Sequence, residues 1–215
     1  MMKNLIYKEL RLTVHPTMWI FLCLTAMLLI PSYPYTLIFF YVMLGLFFSF
    51  INSREQKDIY YAALLPICKR DTVKASALFM VLVEWISLVV AVPFAVLSCR
   101  VNPLGGNAVG LEPNAALFAA ALLLFAIFNG IFLPTFYRSA YKVGASFLKA
   151  IIPVSLVMIA LEASVHFPGM ERWEDCTAAG QLYLLPLVIA AAVIYGTGTY
   201  LAYRKAANNY EKVDL

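Results

Sequence analysis

Three polar side chains, Glu84, Asn129 and Lys149, lie deep within apolar stretches of the sequence. If those stretches are membrane helices, Glu84 lies roughly 15 Å deep, and Asn129 and Lys149 lie at similar depths, about 12 and 10 Å from one surface. A carboxylate there costs about 2.5–3.5 kcal/mol, so it should face protein or water rather than lipid. The three residues could line a polar spot in a translocation cavity. Alternatively, a Glu84–Lys149 ion pair, or a protonated Glu84 hydrogen-bonded to Asn129, could fix helix packing.

Sequence signatures of catalysis and metal binding are absent. The chain has no G-x-x-x-x-G-K-[ST] phosphate loop, so it cannot bind ATP in that manner. Neither H-E-x-x-H nor G-x-S-x-G occurs. The two histidines fall on opposite sides of the membrane in the topology below, and the four cysteines lack metal-ligand spacing. We therefore expect no catalytic, cofactor or metal site in this chain.

The composition indicates a polytopic membrane protein. Apolar residues make up 63% of the 215 positions and charged residues 13%, against roughly 45–50% and 25% in soluble domains. A soluble protein of this length would lack the polar surface it needs. The net charge of +4 is therefore no indication of nucleic-acid binding. We expect one transmembrane domain covering residues 1–215.

The apolar runs predict an all-α fold with six membrane-spanning helices. Pro31 and Pro34 interrupt the run 17–51, because two prolines this close do not fit one helix. We interpret this run as a pair of short spans that reach only roughly 22–26 Å each. The four remaining spans are expected at about 72–97, 114–136, 143–164 and 181–203.

The distribution of Lys and Arg orients these spans. The basic segments 1–15 and 52–71 both belong in the cytoplasm, so an even number of spans must separate them. Fourteen of the 16 Lys and Arg residues then lie inside, and Arg100 and Arg172 lie outside. This predicts cytoplasmic termini and an external segment at 165–180. Glu162, near the outer end of its span, is expected to snorkel to the surface.

Two polar segments have amphipathic patterns. In residues 1–15, basic and apolar side chains alternate, which suits a helix lying in the inner interface. In the loop formed by residues 52–71, apolar residues recur at helical spacing from 55 to 65, and Pro66 ends the pattern. We expect a short cytoplasmic helix there, and Asp71 or Thr72 can cap the next span.

The loop resembles the first cytoplasmic loop of bacterial ABC-type export permeases. The resemblance is carried by Lys57-Asp58-Ile59, Leu65-Pro66-Ile67, Lys69-Arg70 and Val73. In that family (ABC-2), a basic interfacial helix precedes six spans. A coupling helix between spans two and three docks on a separate ATPase. The chain most resembles the small permeases of the phenol-soluble-modulin exporter type, which have no fused ATPase.

The resemblance implies a transport subunit of the bacterial plasma membrane rather than an enzyme. ATP and Mg would be bound by a separate ABC ATPase subunit. The permease would act as a homodimer, or as a heterodimer with a paralogue, and few charges along the path favour an amphipathic peptide or other hydrophobic cargo. A secondary carrier or an integral-membrane enzyme is the alternative class.

The resemblance also assigns roles within the loop. The apolar anchors on the ATPase would be Ile59, Tyr60, Leu64 and Leu65. The polar rim that orients the helix would be Glu55, Lys57, Asp58, Lys69 and Arg70. The alternative is that this helix simply lies on the inner leaflet.

Two of the cysteines, Cys99 and Cys176, are both expected outside the membrane. A disulfide can persist there, whereas Cys68 on the inner side should stay reduced. A bridge would fasten the segment before span six to span three. It requires Cα atoms within about 7 Å, which sequence spacing cannot show. Our expectation from the sequence is therefore two free thiols.

Overall fold

The computed structural model describes residues 2–101, 107, 109–139, 142–167 and 175–213. For Ile59 and Ala63 it describes the backbone but not the side chain. Within these residues the regular structure is helical, as predicted. The α-helices are α1 (Met2–Lys8), α2 (Thr17–Cys23), α3 (Thr36–Glu55), α4 (Asp58–Leu64), α5 (Lys69–Val101), α6 (Ala115–Arg138), α7 (Val143–Ser164) and α8 (Ala178–Glu211). Part of the predicted external segment 165–180 lies outside the described residues.

The N-terminal segment turns sharply where the first apolar run begins. Helix α1 continues as a π-helical turn, Glu9–Thr13, and the following segment 17–29 is inclined to it by 89°. The π-helical turn and α2 are separated by the extended backbone of Val14 and by Pro16, which directly precedes α2. This geometry suits a helix lying along a membrane surface before the chain enters it, and the interfacial position stays a prediction.

The predicted interruption near Pro31 and Pro34 is confirmed. Helix α2 continues as a 3₁₀ helix, Leu24–Leu29, and regular structure resumes at Thr36. Together α2 and the 3₁₀ helix have 7 and 6 residues, so they reach only about 22 Å. Five helices in the described chain are long and apolar enough to cross a membrane, or six if 2–13 and 17–29 together form one bent span.

The four later spans lie where the apolar runs predict them. Helix α7 has the predicted bounds, and α5 extends beyond its predicted span at both ends. The Asn114 side chain caps α6 by accepting from the Ala116 amide, and Thr177 caps α8 by accepting from Gly180. Helix α8 continues to Glu211, beyond the predicted end of its span at 203.

Helix α6 forms the centre of the bundle. Its phenylalanines stack along one side: the rings of Phe128 and Phe132 are 5.0 Å apart and those of Phe132 and Phe136 are 5.9 Å apart. Phe50 of α3 lies edge-on to both Phe132 and Phe136 at 5.0 Å. Aromatic contacts of this geometry add to the burial of the rings. Helices α3, α5, α7 and α8 pack around α6. Exposed apolar side chains on α5, α7 and α8 face outward.

Candidate functional site

A helix forms in the basic segment 52–71, and it is shorter than the sequence predicted. Helix α4 begins at Asp58, and Glu55 is instead the last residue of α3. Between them Lys57 takes a left-handed conformation, with φ 54° and ψ 33°. A residue in that conformation ends a helix, which is why the expected helix 55–65 divides here. Glu55 and Lys57 therefore lie beside α4 rather than on it.

Helix α4 and the residue that follows it carry exposed apolar side chains. Tyr60, Tyr61 and Leu65 are half exposed or more, and Leu64 is 82% exposed. We call these four residues the α4 apolar surface. Ala62 is buried beneath it. The side chain of Ile59, the remaining predicted anchor, lies outside the described residues. A cluster of large exposed apolar side chains on a short helix is typical of a docking surface or a membrane contact.

Asp58, predicted as a rim residue, binds within the chain. Lys8 of α1 donates to both of its oxygens, at 2.8 and 2.7 Å, and Ser53 Oγ lies 3.4 Å from Oδ2. Lys8 Nζ is also 3.4 Å from Glu9. Burial would lower the pKa of Lys8, but the charges of Glu9 and Asp58 outweigh it and raise that pKa. The ion pair fastens α4 to the N-terminal segment.

A second set of contacts continues from the N-terminal segment into the bundle. Ser76 of α5 donates to Glu9 Oε1 at 3.3 Å, and Tyr137 of α6 donates to Ser76 at 2.9 Å. All three residues are buried. Burial raises the pKa of the Glu9 carboxyl. A polar chain therefore runs from Asp58 through Lys8, Glu9 and Ser76 to α6.

The basic pair Lys69 and Arg70, predicted for the rim, binds the chain's own C-terminal region. Arg70 forms a two-point contact with Glu211, at 2.6 and 3.2 Å. Lys69 donates to the Val213 carbonyl at 2.7 Å and lies 5.6 Å above the Tyr210 ring. These contacts join the start of α5 to the end of α8, beside α4.

Glu84 and Asn129 meet at the centre of the bundle. The Asn129 amide donates to Glu84 Oε2 at 3.0 Å and also approaches Thr199 Oγ1 at 3.3 Å. Tyr195 donates to the same Glu84 oxygen at 2.6 Å. Glu84 is 0% exposed, and its Oε1 and the Asn129 Oδ1 have no hydrogen-bond partner in the described part of the chain. We call Glu84, Asn129, Tyr195 and Thr199 the core polar cluster.

Lys149 is not part of this cluster. It lies on the exposed side of α7 and forms no ion pair with Glu84. The sequence left open two packing contacts for Glu84, an ion pair with Lys149 or a hydrogen bond with Asn129. The structure contains the hydrogen bond with Asn129. The sequence reasoning missed Tyr195 and Thr199. Both lie in the apolar run of α8, four residues apart and hence on one helix face, a spacing that could have indicated a polar contact.

Cys99 and Cys176 come together at the opposite end of the bundle from α4. Their sulfur atoms are 2.9 Å apart, and no disulfide joins them. Both side chains are half-buried. The contact joins the end of α5 to the segment before α8. The sequence predicted that both residues lie on one side of the membrane, but it could not show that they meet.

Comparison with known proteins identifies one family. The family described as ABC-2 family transporter protein matches residues 4–211. No curated protein and no solved structure matches the chain. The match extends from residue 4, within α1, to the end of α8 and so includes α4 and its contacts with Lys8.

Proposed function

Because the chain belongs to the ABC-2 family of transporter proteins and is a permease subunit, we propose that it exports an amphipathic peptide or other hydrophobic cargo, driven by a separate ABC ATPase. That partner binds ATP and Mg, since this sequence has no phosphate loop of its own. The working unit is a dimer of permeases, either two copies or one copy with a paralogue, in the bacterial plasma membrane with both termini cytoplasmic.

The observation that carries this proposal is the α4 apolar surface. An amphipathic helix binds a partner by placing apolar anchors in a groove, and Leu64, Leu65 and Tyr61 project from α4 as such anchors. The short helix lies between the second and third apolar segments, where the ATPase would approach from the cytoplasm. Glu55 and Lys57, both exposed, are the residues at its edge that can orient the partner.

The contacts of Asp58 support a route by which docking moves the membrane helices. A force on α4 acts on Asp58 and therefore on Lys8, 2.7 Å away. The N-terminal segment then transmits it to α5 and α6 through Glu9, Ser76 and Tyr137. Lys69 and Arg70 carry the same movement to the C-terminal end of α8.

The exposed helix faces are compatible with an apolar translocation path between protomers. Leu148, Ile152, Leu156 and Ile159 form one outward row on α7. Lys149 lies beside that row and can meet cargo at the protomer surface. Glu84 and Asn129, by contrast, act within the protomer, where their polar contacts hold α5, α6 and α8 together.

The test replaces the anchors in the complete complex. We expect Leu64→Asp combined with Leu65→Asp to abolish copurification with the cognate ABC ATPase and to abolish cargo-stimulated ATP hydrolysis. Leu64→Met with Leu65→Met is the matched control, because it keeps the apolar character of the site, and it should retain both. Unaltered copurification of the Asp variant would contradict the docking role. Transport that continues without ATP would favour a secondary carrier.

A further inference from the structure

A groove opens between α6 and α8 at the end of the bundle that carries α4. Its volume is about 540 Å³. Arg138, Lys205 and Lys212 line it, together with apolar and small residues of both helices. Asn209 of α8 donates to the Pro134 carbonyl of α6 at 2.9 Å and joins the two helices that line the groove. The groove is distinct from the α4 apolar surface and from the core polar cluster.

The three cations of the groove are available to a ligand. Arg138, Lys205 and Lys212 are exposed, and none forms an ion pair within the described part of the chain. Glu211, which adjoins Lys212 in sequence, is already held by Arg70. Among the described residues that line the groove there is no carboxylate. Three positive charges therefore line one cleft, and none of the residues that the structure describes supplies a counterion.

The deeper part of the groove is apolar. Gly130 lies two turns before Arg138 on α6, which places it about 12 Å further along the helix. A Cβ atom added at Gly130 would meet no atom within 4 Å, so the groove is open at this depth. Ile131 and Pro134 form the wall of the groove between Gly130 and Arg138. The groove is thus cationic at the membrane surface and apolar toward the membrane interior.

We propose that this groove binds one anionic glycerophospholipid of the inner leaflet. Its phosphate lies among Arg138, Lys205 and Lys212, and one acyl chain lies along α6 toward Gly130. Basic pockets between membrane helices on the cytoplasmic side are suited to anionic headgroups. A free phosphate would use the cations alone and would leave the apolar depth of the groove unused, which is why a lipid fits better.

The binding test uses the purified full-length chain in detergent, titrated with dioleoyl phosphatidylglycerol and followed by native mass spectrometry. One copy should bind, and dioleoyl phosphatidylcholine should bind far more weakly. The variant R138Q/K205Q/K212Q should weaken phosphatidylglycerol binding by roughly a hundredfold, since each cation near an anionic headgroup contributes about fivefold. The variant K3Q/K142Q/R204Q removes the same charge outside the groove and should change affinity less than twofold.

The apolar half of the site is tested separately. Gly130→Leu should fill the deep end of the groove and weaken phosphatidylglycerol binding by about tenfold. Gly144→Leu on α7 is its matched control, because that position also opens to free space, and it should have no effect. Because Gly130→Leu adds no buried polar group, it remains informative even if the triple variant does not fold.

Three results would overturn the proposal. Equal weakening in the two triple variants would show a general effect of net charge rather than a site. Displacement of the lipid by equimolar inorganic phosphate or glycerol 3-phosphate would assign the groove to a free anion. Equal affinity for phosphatidylcholine would show that the cations do not select the ligand.

Discussion

Glu162 accepts two hydrogen bonds from Thr36: its Oε1 lies 3.0 Å from the Thr36 amide nitrogen and 2.6 Å from the hydroxyl. Its other oxygen accepts from the Leu111 amide at 2.8 Å. The carboxylate thus lies at the first residue of α3, where free amides and the helix dipole favour a negative charge. A Cβ at Gly110 would overlap this carboxylate, so a larger residue there would displace the Glu162 side chain. Glu162 is only partly buried, so its position at the membrane surface stays a prediction.

Removing the Glu162 carboxylate should destabilise the outer end of the bundle. Glu162→Ala leaves the Thr36 and Leu111 donors without their acceptor, at a cost of about 1–3 kcal/mol. We expect a lower Tm in detergent by several degrees, with Glu162→Gln intermediate because one acceptor oxygen remains. Glu55→Ala is a control at an exposed glutamate and should leave Tm unchanged. A Tm for Glu162→Ala equal to that of Glu55→Ala would refute this role.

The core polar cluster should tolerate an amide better than an apolar group at position 84. In Glu84→Gln the side-chain oxygen can still accept from Tyr195, and the new amide can donate to the unpartnered Asn129 oxygen. We expect near-normal thermal stability for Glu84→Gln and a clear loss for Glu84→Leu.

A double-mutant cycle identifies the partners of Glu84. Glu84→Leu with Tyr195→Phe should show a coupling energy of about 0.6–1.7 kcal/mol, the range of hydrogen bonds between membrane helices. Glu84→Leu with Lys149→Ala should be additive, because Lys149 lies on the exposed side of α7. Strong coupling to Lys149 together with none to Tyr195 would contradict the structure.

The Lys8–Asp58 ion pair should affect coupling more than assembly. We expect Asp58→Asn or Lys8→Gln to reduce cargo-stimulated ATP hydrolysis several-fold while the ATPase still copurifies, because the α4 apolar surface is retained. Lys3→Gln, an exposed lysine of the same helix, is the control and should behave as the unaltered protein. Normal cargo-stimulated ATP hydrolysis in both variants would show that the N-terminal segment does not transmit movement from α4 to the membrane helices.

Glu9 should make stability depend on pH. Burial raises its pKa in the folded protein, so the folded state retains the proton to higher pH than the unfolded chain does. The stability that Glu9 contributes is therefore complete below the ordinary glutamate pKa. It is lost as pH rises through the raised pKa of Glu9 in the folded protein. Glu9→Gln should flatten the fall in Tm over that window. An unchanged pH profile in Glu9→Gln would show that other groups cause it.

The thiols of Cys99 and Cys176 should form a disulfide on mild oxidation. Their sulfur atoms are 2.9 Å apart, whereas the other two cysteines, Cys23 and Cys68, are free and exposed. Oxygen with a copper catalyst would take two electrons and two protons from the pair. We expect a Cys99–Cys176 peptide by mass spectrometry of alkylated, non-reduced protein. Recovery of both residues fully alkylated after oxidation would contradict this.

Features that depend on neighbouring residues could be predicted from the sequence. The bounds of α7 and the interruption around Pro31 follow from local apolar runs and proline stereochemistry. The expected cap at Asp71 or Thr72 is wrong, because α5 already begins at Lys69. The basic loop also predicted a short amphipathic helix at α4. Only its start was misplaced, because the left-handed turn at Lys57 has no glycine to signal it.

Contacts between distant segments were decided by the tertiary structure alone. Arg70 and Glu211 are 141 residues apart, and Glu84 and Tyr195 are 111 apart. A charged or polar residue in a sequence indicates that a partner is needed, but helix packing determines which partner is within reach. For that reason the sequence offered both Asn129 and Lys149 as partners of Glu84 and could not choose between them. It did not show that Asp58, Lys69 and Arg70 bind their own chain.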